Sequence, residues 1–244
     1  MNISGKIGIG QVYILLFSLT VLLYSCATVS DQDIQQASAH YQLGVSYLND
    51  NNIQPAFVEF QKALELNPYD KETHNAIGVV YLVKLEDYPK AIHHFQEALK
   101  IDKTFSEASN NLGNAYANTG EYDKAIEYYK RALSNPMYKN AAMAFNNLGM
   151  VHYRLSRFDD AIDAFKDALK RFSDFHMPYY GLALSLNATG RYGDAENALS
   201  RAVQLDPVYK GDREKAIEDF KQKKLRAKGE QEKDISDYLE IMNY

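Results

Sequence analysis

The 244-residue chain has no tryptophan and a single cysteine, Cys26. One cysteine cannot pair within its own chain, so no internal disulfide frames the fold. Beyond Cys26 there is no cysteine to form a Cys–His pair for thiol chemistry. Basic charge is not in excess either: 27 Lys and Arg stand against 32 Asp and Glu, a net charge of −5. Phosphate recognition relies on clustered Lys and Arg, so nucleic acid is not expected as a partner. What the chain has in quantity is apolar and aromatic surface. Hydrophobic residues make up 46% and charged residues 24%, with 19 Tyr and 11 Phe, the composition of a folded protein.

Long apolar runs are missing as well, except near the start. Lys6 is the one charged side chain before residue 26. An apolar stretch from Val12 to Leu23 follows, broken by Ser18 and Thr20, and ends in Leu23-Tyr24-Ser25-Cys26. A spanning helix needs about 20 predominantly apolar residues. This stretch reaches that length only by counting Gly8, Gly10 and Gln11. A positive start, an apolar middle and small residues before a cut are instead the order of a signal peptide. The ending resembles the lipobox of bacterial lipoproteins. That resemblance implies a signal over residues 1–25, a lipidated Cys26 and a polar tether over 26–36. Ala27, in the place where an Asp would retain a lipoprotein in the inner membrane, implies the periplasmic face of the outer membrane.

The remainder repeats itself. Leu43-Gly44 recurs as Ile77-Gly78, Leu112-Gly113, Leu148-Gly149 and Leu182-Ala183, at intervals of 34, 35, 36 and 34 residues. Ala56 recurs as Ala91, Ala125, Ala161 and Ala195, and Ala63 as Ala98, Ala132, Ala168 and Ala202. Phe60, Phe95, Tyr129, Phe165 and Leu199 lie one helical turn after the first alanine of each set. Small residues at these sites let two antiparallel helices approach closely. Turn signals separate the helices at Asp50-Asn51-Asn52, Thr119-Gly120 and Thr189-Gly190. A lone hairpin cannot bury its apolar face, so such units stack. The pattern resembles the tetratricopeptide repeat and covers residues 37–209 as five repeats, 37–70, 71–105, 106–141, 142–175 and 176–209. It implies an all-α, right-handed superhelical solenoid of antiparallel helix hairpins. Residues 210–244 read as C-terminal capping helices or a degenerate sixth repeat.

No catalytic constellation, metal set or cofactor motif is expected. His93 and His94 are neighbours on one helix and point about 100° apart, a poor metal pair that reads as surface histidines. Asp159-Asp160 suits an acidic helix start, which the helix dipole favours. Attention therefore falls on the inner face, which the first helix of each hairpin lines in tetratricopeptide proteins. The fifth place of each repeat holds Tyr41, Asn75, Asn110, Asn146 and Tyr180. The ninth holds Val45, Val79, Asn114, Met150 and Leu184; the twelfth holds Leu48, Leu82, Ala117, Tyr153 and Asn187. None of these is Lys or Arg. From this set Tyr41, Asn75, Asn110, Asn114, Asn146, Met150, Tyr153, Tyr180 and Leu184 are expected to form a partner-binding groove. Asn can donate to and accept from a peptide backbone at once. Tyr adds rigid contact area with a polar tip. The expected partner is another protein, not nucleic acid or a small-molecule substrate.

Signal, lipidated Cys, repeats and length together resemble the type IV pilus biogenesis lipoproteins, the pilotins of the PilF/PilW kind. That resemblance implies a membrane-anchored, non-catalytic scaffold that binds the secretin subunit and aids its outer-membrane assembly. The alternative is a general envelope adaptor that gathers peptidoglycan enzymes or other envelope proteins. Either role needs the anchor. Cys26→Ala should move the protein from the membrane to the soluble fraction on cell fractionation; a variant that stays membrane-bound with its N-terminal segment intact would rule out lipidation as the attachment.

Overall fold

The computed structural model describes residues 29–243. The signal, Cys26 and Ala27 lie outside the described residues. Among the described residues are twelve α-helices, none of them long and apolar enough to cross a membrane. Contacts divide the chain after Pro68 into two units.

The first unit is one hairpin, α1 (Asp31–Asn49) and α2 (Ile53–Leu66). Helix α1 begins inside the stretch read as tether, because Ser30 and Asp33 form a reciprocal cap. The Ser30 hydroxyl accepts from the Asp33 N–H at 3.1 Å, and the Asp33 carboxylate accepts from the Ser30 N–H at 3.2 Å. The expected tether over residues 26–36 is therefore helical from residue 31 onward.

The second unit continues the pattern. It holds α3 (Lys71–Val79), extended by a π-helical turn over Val80–Lys84, then α4 (Tyr88–Ile101), α5 (Ser106–Asn118), α6 (Tyr122–Leu133), α7 (Ala141–Arg154), α8 (Phe158–Arg171), α9 (His176–Ala188), α10 (Tyr192–Leu205), α11 (Arg213–Lys224) and α12 (Glu230–Ile241). Helices pair as α3/α4, α5/α6, α7/α8 and α9/α10, and the second helix of each pair packs on the first of the next. Within this unit the hairpins stack as a solenoid. Every recurrent alanine is buried, from Ala91 to Ala202, with no measurable exposure.

One contact sets how close the helices come. A Cβ added at Gly113 would lie 2.7 Å from the Tyr129 ring, and one at Gly149 would lie 2.7 Å from the Phe165 ring. Gly78 stands in the same relation to Phe95 at 2.5 Å, and Gly44 to Phe60 at 2.6 Å within the first unit. The missing side chain is the slot for the aromatic ring. The fifth repeat has Ala183 in place of the glycine, and there the ring is replaced by Leu199, also buried. Slot and filler change size together.

The turns share one device. Asn51, Glu86, Gly120, Ser156 and Gly190 all take the left-handed conformation, with φ of 58°, 52°, 77°, 57° and 76°. Each follows its marker glycine or alanine by seven residues, except Glu86, which follows Gly78 by eight. The extra residue is absorbed by the π turn, where the Leu85 N–H donates to the Val80 carbonyl, five residues back, at 3.2 Å. The second hairpin thus keeps the same packing while carrying one residue more.

The Phe165 ring is gripped from both sides, since a Cβ at Gly181 would come within 2.2 Å of it. Gly181→Ala should therefore overpack the α8–α9 contact and cost roughly 1–3 kcal/mol. Gly193, where nothing lies within 4 Å of an added Cβ, is the control. Gly193→Ala should leave stability unchanged or raise it by up to about 1 kcal/mol. Thermal melts of the two variants read the difference; equal melting temperatures would refute the slot argument.

Candidate partner-binding groove

The first helices α3, α5 and α7 lie side by side, and their asparagines form a ladder. The Asn111 amide donates to the Asn75 Oδ1 at 3.0 Å, tying α5 to α3. The Asn147 amide donates to the Asn114 Oδ1 at 2.9 Å, tying α7 to α5. The same oxygen of Asn114 accepts from the Tyr129 hydroxyl at 2.7 Å. Burial raises the Tyr129 phenol well above its ordinary pKa, so it stays a neutral donor.

The ladder changes the roles read from the sequence. Asn110 and Asn146 are only 4% and 7% exposed. Each amide is turned toward the neighbouring Asn111 or Asn147 at 3.4 Å. These two residues lie beneath the groove and, against the expectation that they line it, do not present a backbone-reading edge. The reason is geometric: the fifth place of a first helix faces the adjacent first helix as much as the inner surface. Asn111 and Asn147, which do the bridging, were not among the expected residues. The doublet Asn-Asn-Leu-Gly, at Asn110 and again at Asn146, was the signal that could have found them.

Above the ladder is an open cleft of about 660 Å³. Asn114 and Met150 line it, as expected, and both remain partly exposed. Asn75 is partly exposed and takes part through the ladder. Residues not foreseen complete the walls: Val83 from the π turn, Asn118, Tyr122, Met143 and Asn147. Val83 and Met143 are 60% and 50% exposed, so apolar surface is offered to solvent there.

The far end of the groove is already filled. Tyr153 and Leu184 are 5% and 1% exposed and share a core cluster with Ile235 and Ile241 of α12. The Tyr180 ring packs against Tyr238 of α12 at 5.5 Å, and its hydroxyl donates to Asp206 at 2.9 Å. Burial raises the Tyr153 and Tyr180 phenols above their usual range. These three expected groove residues are thus covered by the chain's own last helix. Tyr41 belongs to the first unit, where it is half-buried with its ring 5.9 Å from that of Phe60.

The cleft also holds a charge the sequence reading placed outside it. Arg154, one residue past the twelfth place, lines the cleft together with Glu230. Its guanidinium donates to both carboxylate oxygens of Asp234, one of them at 2.8 Å, and its Nε lies 3.1 Å from Glu230. The Asp234 hydrogen bond raises the Arg154 pKa further, so the group stays charged. Elsewhere in the unit, His93 is exposed as expected, but His94 is not a surface residue. It is half-buried, stacks on Tyr81, and its Nδ1 lies 3.3 Å from that of His74. Burial and its two histidine neighbours lower its pKa to about 4. Among the described residues no three metal-ligating side chains converge.

Profiles of the tetratricopeptide repeat match residues 37–70, 82–120, 105–174 and 146–210. The chain is a tetratricopeptide-repeat protein. A curated relative, the type IV pilus assembly protein PilF of Pseudomonas aeruginosa, is 30% identical over 140 residues, covering 54% of this chain and 55% of PilF. The chain thus spans little more than half the length of that relative. The solved structure of Pseudomonas aeruginosa PilF superposes with a TM-score of 0.66 at 23% identity, covering 87% of this chain and 99% of that one. The crystal structure of PilW, a type IV pilus biogenesis factor, superposes with a TM-score of 0.65 at 21% identity, covering 80% and 96%. The chain is a repeat scaffold that resembles PilF and PilW.

Asn114 is a structural residue as well as a wall of the cleft. Asn114→Ala would leave the Tyr129 hydroxyl, on a residue 1% exposed, without its acceptor. The expected cost is about 1–3 kcal/mol in chemical denaturation. An unchanged unfolding midpoint would show that the ladder carries no stability.

Proposed function

We propose that this protein is a membrane-anchored pilotin: a lipoprotein that holds a segment of the secretin subunit in its tetratricopeptide groove and aids secretin assembly in the outer membrane. The observation that carries the reading is the open cleft between the π turn after α3 and helices α5 and α7, with apolar walls at Val83, Met143 and Met150 and amides at Asn114 and Asn118. Such a surface suits a peptide with apolar side chains whose backbone meets the amides. The sequence relation to PilF supports the pilus context. Lipidation at Cys26, release of residues 1–25 and attachment to the periplasmic face of the outer membrane belong to the same reading, on the strength of the lipobox-like ending. No step in it requires catalysis or a cofactor.

The test uses two exposed residues that belong to no core cluster. Val83→Lys combined with Met143→Lys should weaken capture of the secretin subunit at least ten-fold, about 1.4 kcal/mol or more, while the melting temperature stays that of the wild type. Pull-down and titration with purified secretin subunit measure this. Undiminished capture would place the partner on another surface. Recovery of a cell-wall hydrolase in place of secretin would favour the general-adaptor role.

A further inference from the structure

Helix α12 does not complete a sixth hairpin in the manner of the others. It lies against α9 and α10 as well as α11, and its first turns reach α7 through Arg154. Its coverage is visible in the ninth-place residues: Val79, Asn114 and Met150 remain partly exposed, whereas Leu184 is 1% exposed. One face of α12 carries Asp234, Ile235, Ile241 and Met242, all buried, and Tyr238 stacks on Phe220 from the same side. The other face, Glu232, Lys233 and Glu240, is exposed. In form this is an amphipathic helix laid in a groove.

Beside the Arg213 guanidinium, which donates to the Met242 carbonyl at 2.6 Å, two features set how the helix is joined to its seat. It hangs on a short link whose Leu225 is 80% exposed and whose Gly229, at φ 58°, has nothing within 4 Å of an added Cβ. Its first attachment is polar, by Asp234 and Glu230 to Arg154. Arg154 has a side chain 19% exposed, and an arginine so placed cannot be left without an anion at small cost. Whatever displaces α12 must therefore bring carboxylates of its own.

We propose that α12 is a built-in, reversible ligand of the groove, and that the site beneath it takes a partner helix of the same chemistry: two acidic residues four apart facing Arg154, followed on that face by an aliphatic residue and, three further on, a tyrosine. This rests on the reading of the groove as the partner site and extends it, because Arg154 and Glu230 also border the open cleft. A partner occupying the cleft and running on toward Arg154 would compete with α12 for the same guanidinium. The tethered helix acts at high effective concentration, so it lowers the apparent affinity of any competitor by the fraction of time it is seated.

Hydrogen exchange on the full wild-type chain tests the seat first. The amides of Ile235 to Ile241 should exchange at least ten-fold faster than those of Leu182 to Leu186 in α9; equal protection would make α12 a permanent part of the core and overturn the proposal. The second arm uses a fluorescent peptide of residues 229–243. The full chain with Glu230→Gln and Asp234→Asn should bind it at least ten-fold more tightly than the wild type, and adding Arg154→Ala should remove the gain. Equal binding by all three chains would also overturn it. Neither arm involves secretin, so loss of the pilotin reading through the Val83 and Met143 variant would leave both results standing, and the reverse.

Discussion

The structure depends on one steric relation, a ring seated where a side chain is missing. Gly78, Gly113 and Gly149 leave room for Phe95, Tyr129 and Phe165, and this brings the two helices of each hairpin close enough for the recurrent alanines to lose all exposure. Close approach then fixes everything downstream. The first helices come to lie beside one another, their asparagines fall within hydrogen-bond reach, and the inner faces merge into one surface. The exchange of Gly for Ala and of the ring for Leu199 in the fifth repeat shows that what matters is the sum of slot and filler, as dense packing requires.

If the inner surface is the partner site proposed above, it is a compromise between cohesion and recognition. An asparagine amide used to tie α5 to α3 or α7 to α5 is not available to a ligand. The ladder spends Asn111 and Asn147 as donors and leaves Asn114, Asn118 and the exposed edges of Asn75 at the surface. Apolar contact must then come from residues with little structural duty, and Val83 and Met143 fit that description: one sits in the π turn that absorbs an added residue, the other on the first turn of α7. In the proposed function, recognition thus falls on residues outside the shared repeat markers.

Charge follows the same division. The cleft lining from Leu82 to Val151 is neutral, and the guanidinium of Arg154 at its end is held by carboxylates from α12. A neutral floor favours side-chain shape over charge, whereas a paired arginine at its end selects for an acid. The two halves therefore ask different things of whatever lies along them, and α12 already satisfies the second.

Much of this was legible in the residues. The spacing of Ala, Gly and aromatic markers determined the hairpins and, within the second unit, their stacking, because close helix packing tolerates few side chains at those places and the constraint recurs from hairpin to hairpin. Glu86 and Ser156 show where local reading ran short: neither announces a left-handed turn, and both adopt it because the hairpin on either side demands it. The lining of the cleft was legible only in part. Asn114 and Met150 were found from position alone, but position cannot say whether Asn110 or Asn111 faces the neighbour, since both lie within one helical step of the interface. Nor could it place Tyr153, Tyr180 and Leu184 beneath a helix some 50 to 80 residues further along the chain, by the separations of Tyr153, Tyr180 and Leu184 from Glu230 and Asp234. The repeat itself is written in short-range spacing, which a sequence displays directly. The burial of Arg154 and the seating of α12 are long-range choices among several exposed faces, settled only when the folded solenoid brings an arginine and two carboxylates to one place.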